Sequence, residues 1–329
     1  MATYLLTGVA GFIGARLAEF LLERGDRVVG VDNLNTAYDV RLKHWRLDRL
    51  TAYSLFTFRW MDISQPGTVE RLGSLLHQQG EICDAVIHMA ARAGVRQSVE
   101  NPWVYLNTNI TGTLNLLEFS RQYGVPKFIQ ASTSSVYGAN APLPTPEEAD
   151  SSHPLQPYAA SKKAAEVLCH VYHTLYHLDV TIFRYFTVYG PAGRPDMVMF
   201  RFVQWISEGR PVQVNGDGEQ MRGFTYIDDI ARGTIAGLKP VGYQIVNLGG
   251  HETITINQLI CLMEGLIGRS AQVVYRPPHP ADMLANWADV RKAEQLLGWQ
   301  PWVNLEQGVT RLVEWYQKER AWASQVQTE

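Results

Sequence analysis

The sequence predicts an α/β chain: a doubly wound parallel sheet with helices on both faces, and a smaller α/β carboxyl-terminal part. Three observations predict it. Short apolar runs alternate with amphipathic segments through the first half, the pattern of consecutive βα units. The apolar runs carry little polar alternation, as strands covered on both faces do. The 329 residues, 46% hydrophobic and 19% charged, supply a large core for one big or two ordinary domains.

The elements follow in order. Strands are expected at 4–7, 27–31, 55–60, 85–88, 128–131 and 180–184, and helices at 12–24, 68–79, 103–123 and 158–176. The proline-rich run Ala141-Pro-Leu-Pro-Thr-Pro146 reads as a surface loop, since proline neither donates to a sheet nor continues a helix. The pattern loosens after Gly190-Pro191, so the first domain is placed at 1–186 and the second at 187–223 and 251–329. Residues 224–250 are expected to return to the first.

Lys and Arg number 29 against 32 Asp and Glu, a net charge of −3. That excludes a domain-wide basic field for nucleic acid. Cys83, Cys169 and Cys261 are far apart without zinc or disulfide spacing, so a reduced, cytoplasmic chain is expected. Gly8 closely follows a start without a basic region, and no run of about 18 apolar residues occurs. No membrane association is expected.

The first chemical motif is Gly8-x-x-Gly11-x-x-Gly14, between a strand and an amphipathic helix. Gly8 permits a tight turn, Gly11 lets the backbone approach a pyrophosphate, and Gly14 allows close helix–strand packing. The helix start then offers free N–H groups to phosphate. Strand two ends in Asp32, whose carboxylate suits the adenosine ribose hydroxyls and repels a 2′-phosphate. NAD is expected rather than NADP.

The second motif is Tyr158-x-x-x-Lys162. The two side chains share a helix face, and an ammonium beside the phenol, together with the positive nicotinamide ring, is expected to lower a pKa of ~10 toward usefulness as a base. The third is the hydroxyl cluster Ser132 to Ser135 at the carboxyl end of the fifth strand, where doubly wound sheets bind ligands. Its serines and threonine serve a substrate or simply cap a turn.

These motifs, with Asp62-Ile63, Ala90-Ala91, residues 184–190, Phe224 to Asp229 and 285–290, resemble the extended short-chain dehydrogenase/reductases, and within them the nucleotide-sugar 4-epimerases. The resemblance covers essentially the whole chain. It implies a Rossmann-type domain with tightly bound NAD, a smaller substrate domain and an isomerase of carbohydrate metabolism. By the same resemblance Gly8, Gly11, Phe12, Ile13, Gly14, Asp32, Asn33, Asp62, Ile63, Met89, Ala90, Ala91, Asn109, Tyr158, Lys162 and Phe186 line the NAD site. Thr133, Tyr158 and Lys162 would be catalytic. Ser134, Ser135, Thr187, Arg194, Arg222 and Asp282 would join Thr133 in binding substrate. The helices near 103–123 and 158–176 would pair with their copies in a homodimer.

Related dehydratases carry Asp-Glu after the catalytic threonine, and related uronate decarboxylases a glutamate two positions on. Here Ser134-Ser135 follow, which argues for epimerisation alone. These hydroxyls and Thr187 resemble the glucuronate 4-epimerases, so UDP-glucuronate to UDP-galacturonate is the expected conversion. A UDP-glucose/galactose or N-acetylhexosamine 4-epimerase, a UDP-uronate decarboxylase and a non-catalytic NAD-sensing protein stay open as alternatives. The sequence departs from the family pattern at Arg92, Gly223 and His279. His170, His173 and His177 have helical spacing but no third ligand or accompanying glutamate, so they are read as a helix face and no metal is expected.

Overall fold

The computed structural model describes residues 1–78, 83–250, 252–277 and 285–328. The first part runs β1 (Thr3–Thr7), α1 (Phe12–Glu23), β2 (Arg27–Asp32), α2 (Val40–Thr51), β3 (Phe56–Trp60), α3 (Thr68–Gln78), β4 (Ala85–His88), α4 (Val95–Glu100), α5 (Pro102–Leu106), α6 (Gly112–Gln122), β5 (Lys127–Thr133), α7 (Pro157–Tyr176) and β6 (Asp179–Tyr185). The second runs β7 (Thr187–Tyr189), α8 (Val198–Glu208), β8 (Val212–Asn215), β9 (Met221–Tyr226), α9 (Ile227–Ala236), β10 (Tyr243–Leu248), β11 (Glu252–Thr255), α10 (Ile256–Ile267), β12 (Val273–Arg276), β13 (Ala285–Asn286), α11 (Arg291–Leu297) and α12 (Leu305–Ala323).

Among the described residues the main sheet has seven parallel strands in the order β10-β6-β5-β4-β1-β2-β3. Adjacent residues on one strand bury into opposite layers. Leu6 packs with Leu17, Leu21 and Ile230 on one face, while Leu5 packs with Leu72, Leu116 and Phe119 on the other. Both leucines are buried, which is why β1 lacks polar alternation. After β3 the chain returns past β1 to form β4, so the segments leaving β1 and β4 diverge and open a crevice at their carboxyl ends.

The smaller lobe centres on β9, which pairs antiparallel with β11 and parallel with β7 and β13; β8 and β12 form a separate parallel pair. Its core gathers Phe200, Trp205, Phe224, Trp315 and Tyr316 from α8, β9 and α12. The lobes are interleaved. After β9 the chain returns as α9, which packs on α1, and as β10, which pairs with β6; α11 packs on β10 and α9.

Two elements differ from simple periodicity. The helix expected over 103–123 is divided by a π-turn at residues 107–111. Asn109 lies in that turn, and its side chain accepts from Arg92 N (2.8 Å) and donates to Arg92 O (3.0 Å) and Ser161 Oγ (2.8 Å). The wider turn accommodates these tertiary bonds. Helix α2 gives no strong apolar stripe because two of its buried positions are Lys43 and Arg46.

Candidate active site

A cleft of about 890 Å³ opens at the carboxyl ends of the central strands and continues onto the smaller lobe. Its floor begins at the glycine loop. Gly8 has φ +72°, and a Cβ there would lie 2.6 Å from Ala90 N; a Cβ on Gly14 would lie 2.2 Å from Gly8 O. Backbone therefore fills the space that side chains would need. Gly11 caps α1 without a side-chain hydrogen bond, so the first-turn N–H groups remain for an anionic ligand. This cradle fits a dinucleotide pyrophosphate, and Phe12 and Ile13 line the cleft beside it.

The ends of β2 and β3 supply carboxylates. Asp32 accepts from Ala10 N (3.2 Å) and Leu34 N (2.8 Å), which fixes its side chain toward the glycine loop. Lys43 Nζ lies 3.7 Å from it and also donates to Asn35 Oδ1 (3.3 Å). Burial pushes the Asp62 carboxyl up, but hydrogen bonds from Ser64 and Asn33 overcome that and leave it below its ordinary value. Asn33, Ile63, Met89, Ala90 and Ala91 complete this side of the wall.

At the opposite side Pro157 starts α7, with Tyr158 and Lys162 one turn apart on the cleft face. Lys162 is buried, donates to Ala131 O (2.8 Å) and is lowered to about 8 by burial, with Cys169 and Glu166 opposing. Burial raises the half-buried Tyr158 phenol; hydrogen bonding with Thr133 and the charge of Arg194 pull it down without overcoming burial. The lowering expected from Lys162 and the nicotinamide ring together is not reached by the polypeptide alone, where burial prevails. The cations and hydroxyls that do act on the phenol come from β5 and the smaller lobe.

Thr133 ends β5 and accepts from Ser135 N (3.2 Å), starting a short 3₁₀ turn that aims Ser134 and Ser135 into the cleft. Asn286 Nδ2 is 3.4 Å from Ser134 Oγ. Phe186, Thr187 and Arg194 reach the cleft from the connection into the smaller lobe, and Arg194 forks onto Asp196 (3.0 and 2.6 Å).

The cleft therefore gathers every sequence-selected site residue except three. Asn109 lies behind the wall, where it pins the Arg92 backbone. Arg222 is outside the wall, on β9 in register with cleft-lining Asn286. Asp282 and His279 lie outside the described residues. Gly223 has a packing reason, since a Cβ there would lie 2.2 Å from Gly250 O. Arg92 Nη1 donates to Asn35 Oδ1 (3.3 Å). His173 Nδ1 donates to Leu178 O (2.8 Å), His170 packs edge-on to Tyr243, and His177 ends α7 at φ +57°. Sequence reasoning gave no role to Asn35, Tyr38, Lys43 or Asn286, all in the wall, although Asn286 stood within the 285–290 motif. The only available signal for the first three was their place just after β2.

Beneath the wall Glu166 accepts from Ser132 Oγ (2.6 Å) and from Arg184 Nε (2.9 Å) and Nη2 (2.8 Å), both side chains being fully buried. Burial raises the Glu166 carboxyl, and the Arg184 bonds outweigh it, so it stays below its ordinary value.

Residues 4–249 match the model of the NAD dependent epimerase/dehydratase family. The chain is 55% identical to a UDP-glucuronate 4-epimerase of Thermodesulfobacterium geofontis over 316 residues, 96% of each protein. It is similar to the structure of UDP-glucuronic acid 4-epimerase from Bacillus cereus in complex with UDP-glucuronic acid and NAD, with 37% identity and a TM-score of 0.88 over 96% of this chain and 99% of that one. UDP-glucose 4-epimerase of Thermotoga maritima with UDP-glucose matches at 35% identity and a TM-score of 0.88, over 97% and 99%.

Removing one partner of a buried ion pair strands the other charge. Glu166→Ala is expected to lower unfolding free energy by about 3–5 kcal/mol, read by urea denaturation. Arg291→Ala, which removes the exposed arginine of the pair with Asp289, should cost far less than Glu166→Ala. Equal effects would refute the ranking.

Proposed function

Because the chain belongs to the NAD dependent epimerase/dehydratase family, we propose that it is an isomerase that inverts C4 of a UDP-sugar, with UDP-glucuronate and UDP-galacturonate as the preferred pair. The carrying observation is the Thr133-Ser134-Ser135 turn with Thr187 in the same cleft. The carboxylates lining the cleft, Asp32, Asp62 and Asp196, belong to other segments, and Thr133 is followed by no acid–base pair of the kind an elimination needs. The 55% identity to a UDP-glucuronate 4-epimerase supports the uronate reading.

When bound, NAD would supply reversible hydride chemistry at C4. Gly8, Gly11, Phe12, Ile13 and Gly14 would hold its pyrophosphate, and Asp32 a ribose. Asn33, Asp62 and Ile63 would line the adenosine end, and Met89, Ala90, Ala91 and Phe186 the nicotinamide end. Tyr158 exchanges a proton with the 4-hydroxyl. Thr133 would orient both, and Lys162 would hold the nicotinamide ribose while adding positive charge to the site. Asn109 acts at one remove, through the Arg92 backbone. Ser134, Ser135 and Thr187 would receive the C6 carboxylate, and Arg194 the diphosphate. Holding that carboxylate matters, because a 4-keto uronate loses CO₂ when its C5–C6 bond aligns with the carbonyl π system.

A homodimer is supported by the exposed apolar side chains Trp103, Leu106 and Leu114 near the π-turn and Val167, Val171 and Leu175 on α7. The free thiols, with Cys261 exposed, support a cytoplasmic location.

Tyr158→Phe is expected to lower turnover by about 10²–10⁴-fold while the purified protein keeps its NAD; activity within threefold of the parent sinks the assignment. UDP-glucuronate should be turned over roughly a hundredfold better than UDP-glucose, since each charge-assisted bond lost costs about 1.5–3 kcal/mol. Ser134→Ala and Thr187→Ala should erode uronate turnover selectively. Equal parent rates on the two sugars would promote the glucose/galactose reading. Val171→Glu should give a monomer in sedimentation velocity, and an unchanged oligomer would exclude this face as the interface.

A further inference from the structure

Arg46 is buried in α2, yet among the described residues every hydrogen bond it makes, including one of 3.4 Å to Gly193 O, is to a neutral acceptor. Nη1 donates to Ala10 O (3.0 Å) and Tyr38 Oη (2.8 Å), while Nε and Nη2 both donate to Ala192 O (3.1 and 2.5 Å). Burying a guanidinium without a carboxylate is costly unless something else uses the charge. Its partners say what that use is. Ala10 belongs to the glycine loop on the cofactor side, and Ala192 precedes Gly193-Arg194 on the substrate side. Ala192 is a non-glycine residue at φ +52°, a conformation that needs support from its surroundings, and two bonds from one guanidinium supply it.

We propose that Arg46 is a positioning residue that ties the cofactor loop to the substrate loop, presetting Arg194 against Tyr158 and keeping a positive charge between the sites of the two diphosphates. The inference rests on the NAD-dependent UDP-sugar reading and deepens it. One planar fork spans both loops, so displacing it releases the Ala192 carbonyl and with it Arg194. Arg194 is one of the groups drawing the phenol down. Its displacement therefore raises the phenol, and a limb that reports phenol ionisation moves to higher pH.

The test uses the full chain loaded with NAD, as Arg46→Met and Arg46→Lys, titrated calorimetrically with UDP and assayed for pH dependence of kcat/KM. Arg46→Met should bind UDP at least tenfold more weakly, with KM for UDP-glucuronate raised more than kcat is lowered and the acidic limb moved upward. Lysine keeps the charge but lacks the fork, so Arg46→Lys should bind UDP at least threefold more weakly with the limb still displaced. A purely structural role would lower the thermal midpoint and leave the limb where it is. UDP affinity within twofold of the parent and an unmoved limb overturn the proposal; if Arg46→Met does not fold, Arg46→Lys decides by the same limits. A parent that neither binds UDP nor converts any UDP-sugar defeats the proposed function and this inference together. A competent parent beside an indifferent Arg46 variant defeats the inference alone.

Discussion

The buried pair of Glu166 and Arg184 joins the elements from which the candidate site is made. Arg184 rises from β6, Glu166 from α7 one turn below Lys162, and Ser132 from β5 immediately before Thr133. Arg184 also donates to Glu147 O (3.1 Å) and lies over the Tyr137 ring at 4.7 Å, which anchors the loop before α7. Two buried charges pay for their desolvation only when geometry and hydrogen bonding are nearly complete. Here both carboxylate oxygens and the guanidinium edge are engaged, so α7 and the hydroxyl-bearing end of β5 are held in one register.

Above that pair, burial acts on a base and an acid in opposite senses. It disfavours charge on both Lys162 and Tyr158, lowering the lysine and raising the phenol. A neutral phenol is a proton donor before it is an acceptor. Ionising it depends on positive charge brought near it, and Arg194 is already a contributor from the smaller lobe. In the proposed cycle this keeps proton removal coupled to an occupied site, because burial opposes the phenolate.

That dependence makes the relation between lobes chemically important. The chain interleaves them, with β7 and β9 on the small sheet while α9 and β10 return to the main layers. Gly223 and Gly250 mark how closely the crossing segments approach, since a Cβ on either would collide with its surroundings. Arg46 adds a polar tie across the same boundary. The smaller-lobe residues that line the cleft are consequently positioned by the scaffold that also shapes the glycine-loop cradle.

Much of this was legible in the residues alone. Strand and helix alternation, the glycine loop, Asp32 and the Tyr158/Lys162 pair are local patterns, written by steric and hydrogen-bonding rules that act over a few residues. Asn109, Arg46 and Lys43 were not readable in the same way. Asn109 occupies a π-turn because its side chain binds Arg92 and Ser161, and Arg46 and Lys43 are buried polar groups on a helix without a clear apolar stripe. The phenol's raised pKa was likewise decided by tertiary structure, since burial and the approach of Arg194 depend on segments distant in the chain. The sequence by itself determined which local shapes form and which chemical groups they carry. Tertiary structure decided which groups face the cleft and which stand behind it, because solvation and electrostatic fields depend on spatial neighbours rather than sequence neighbours.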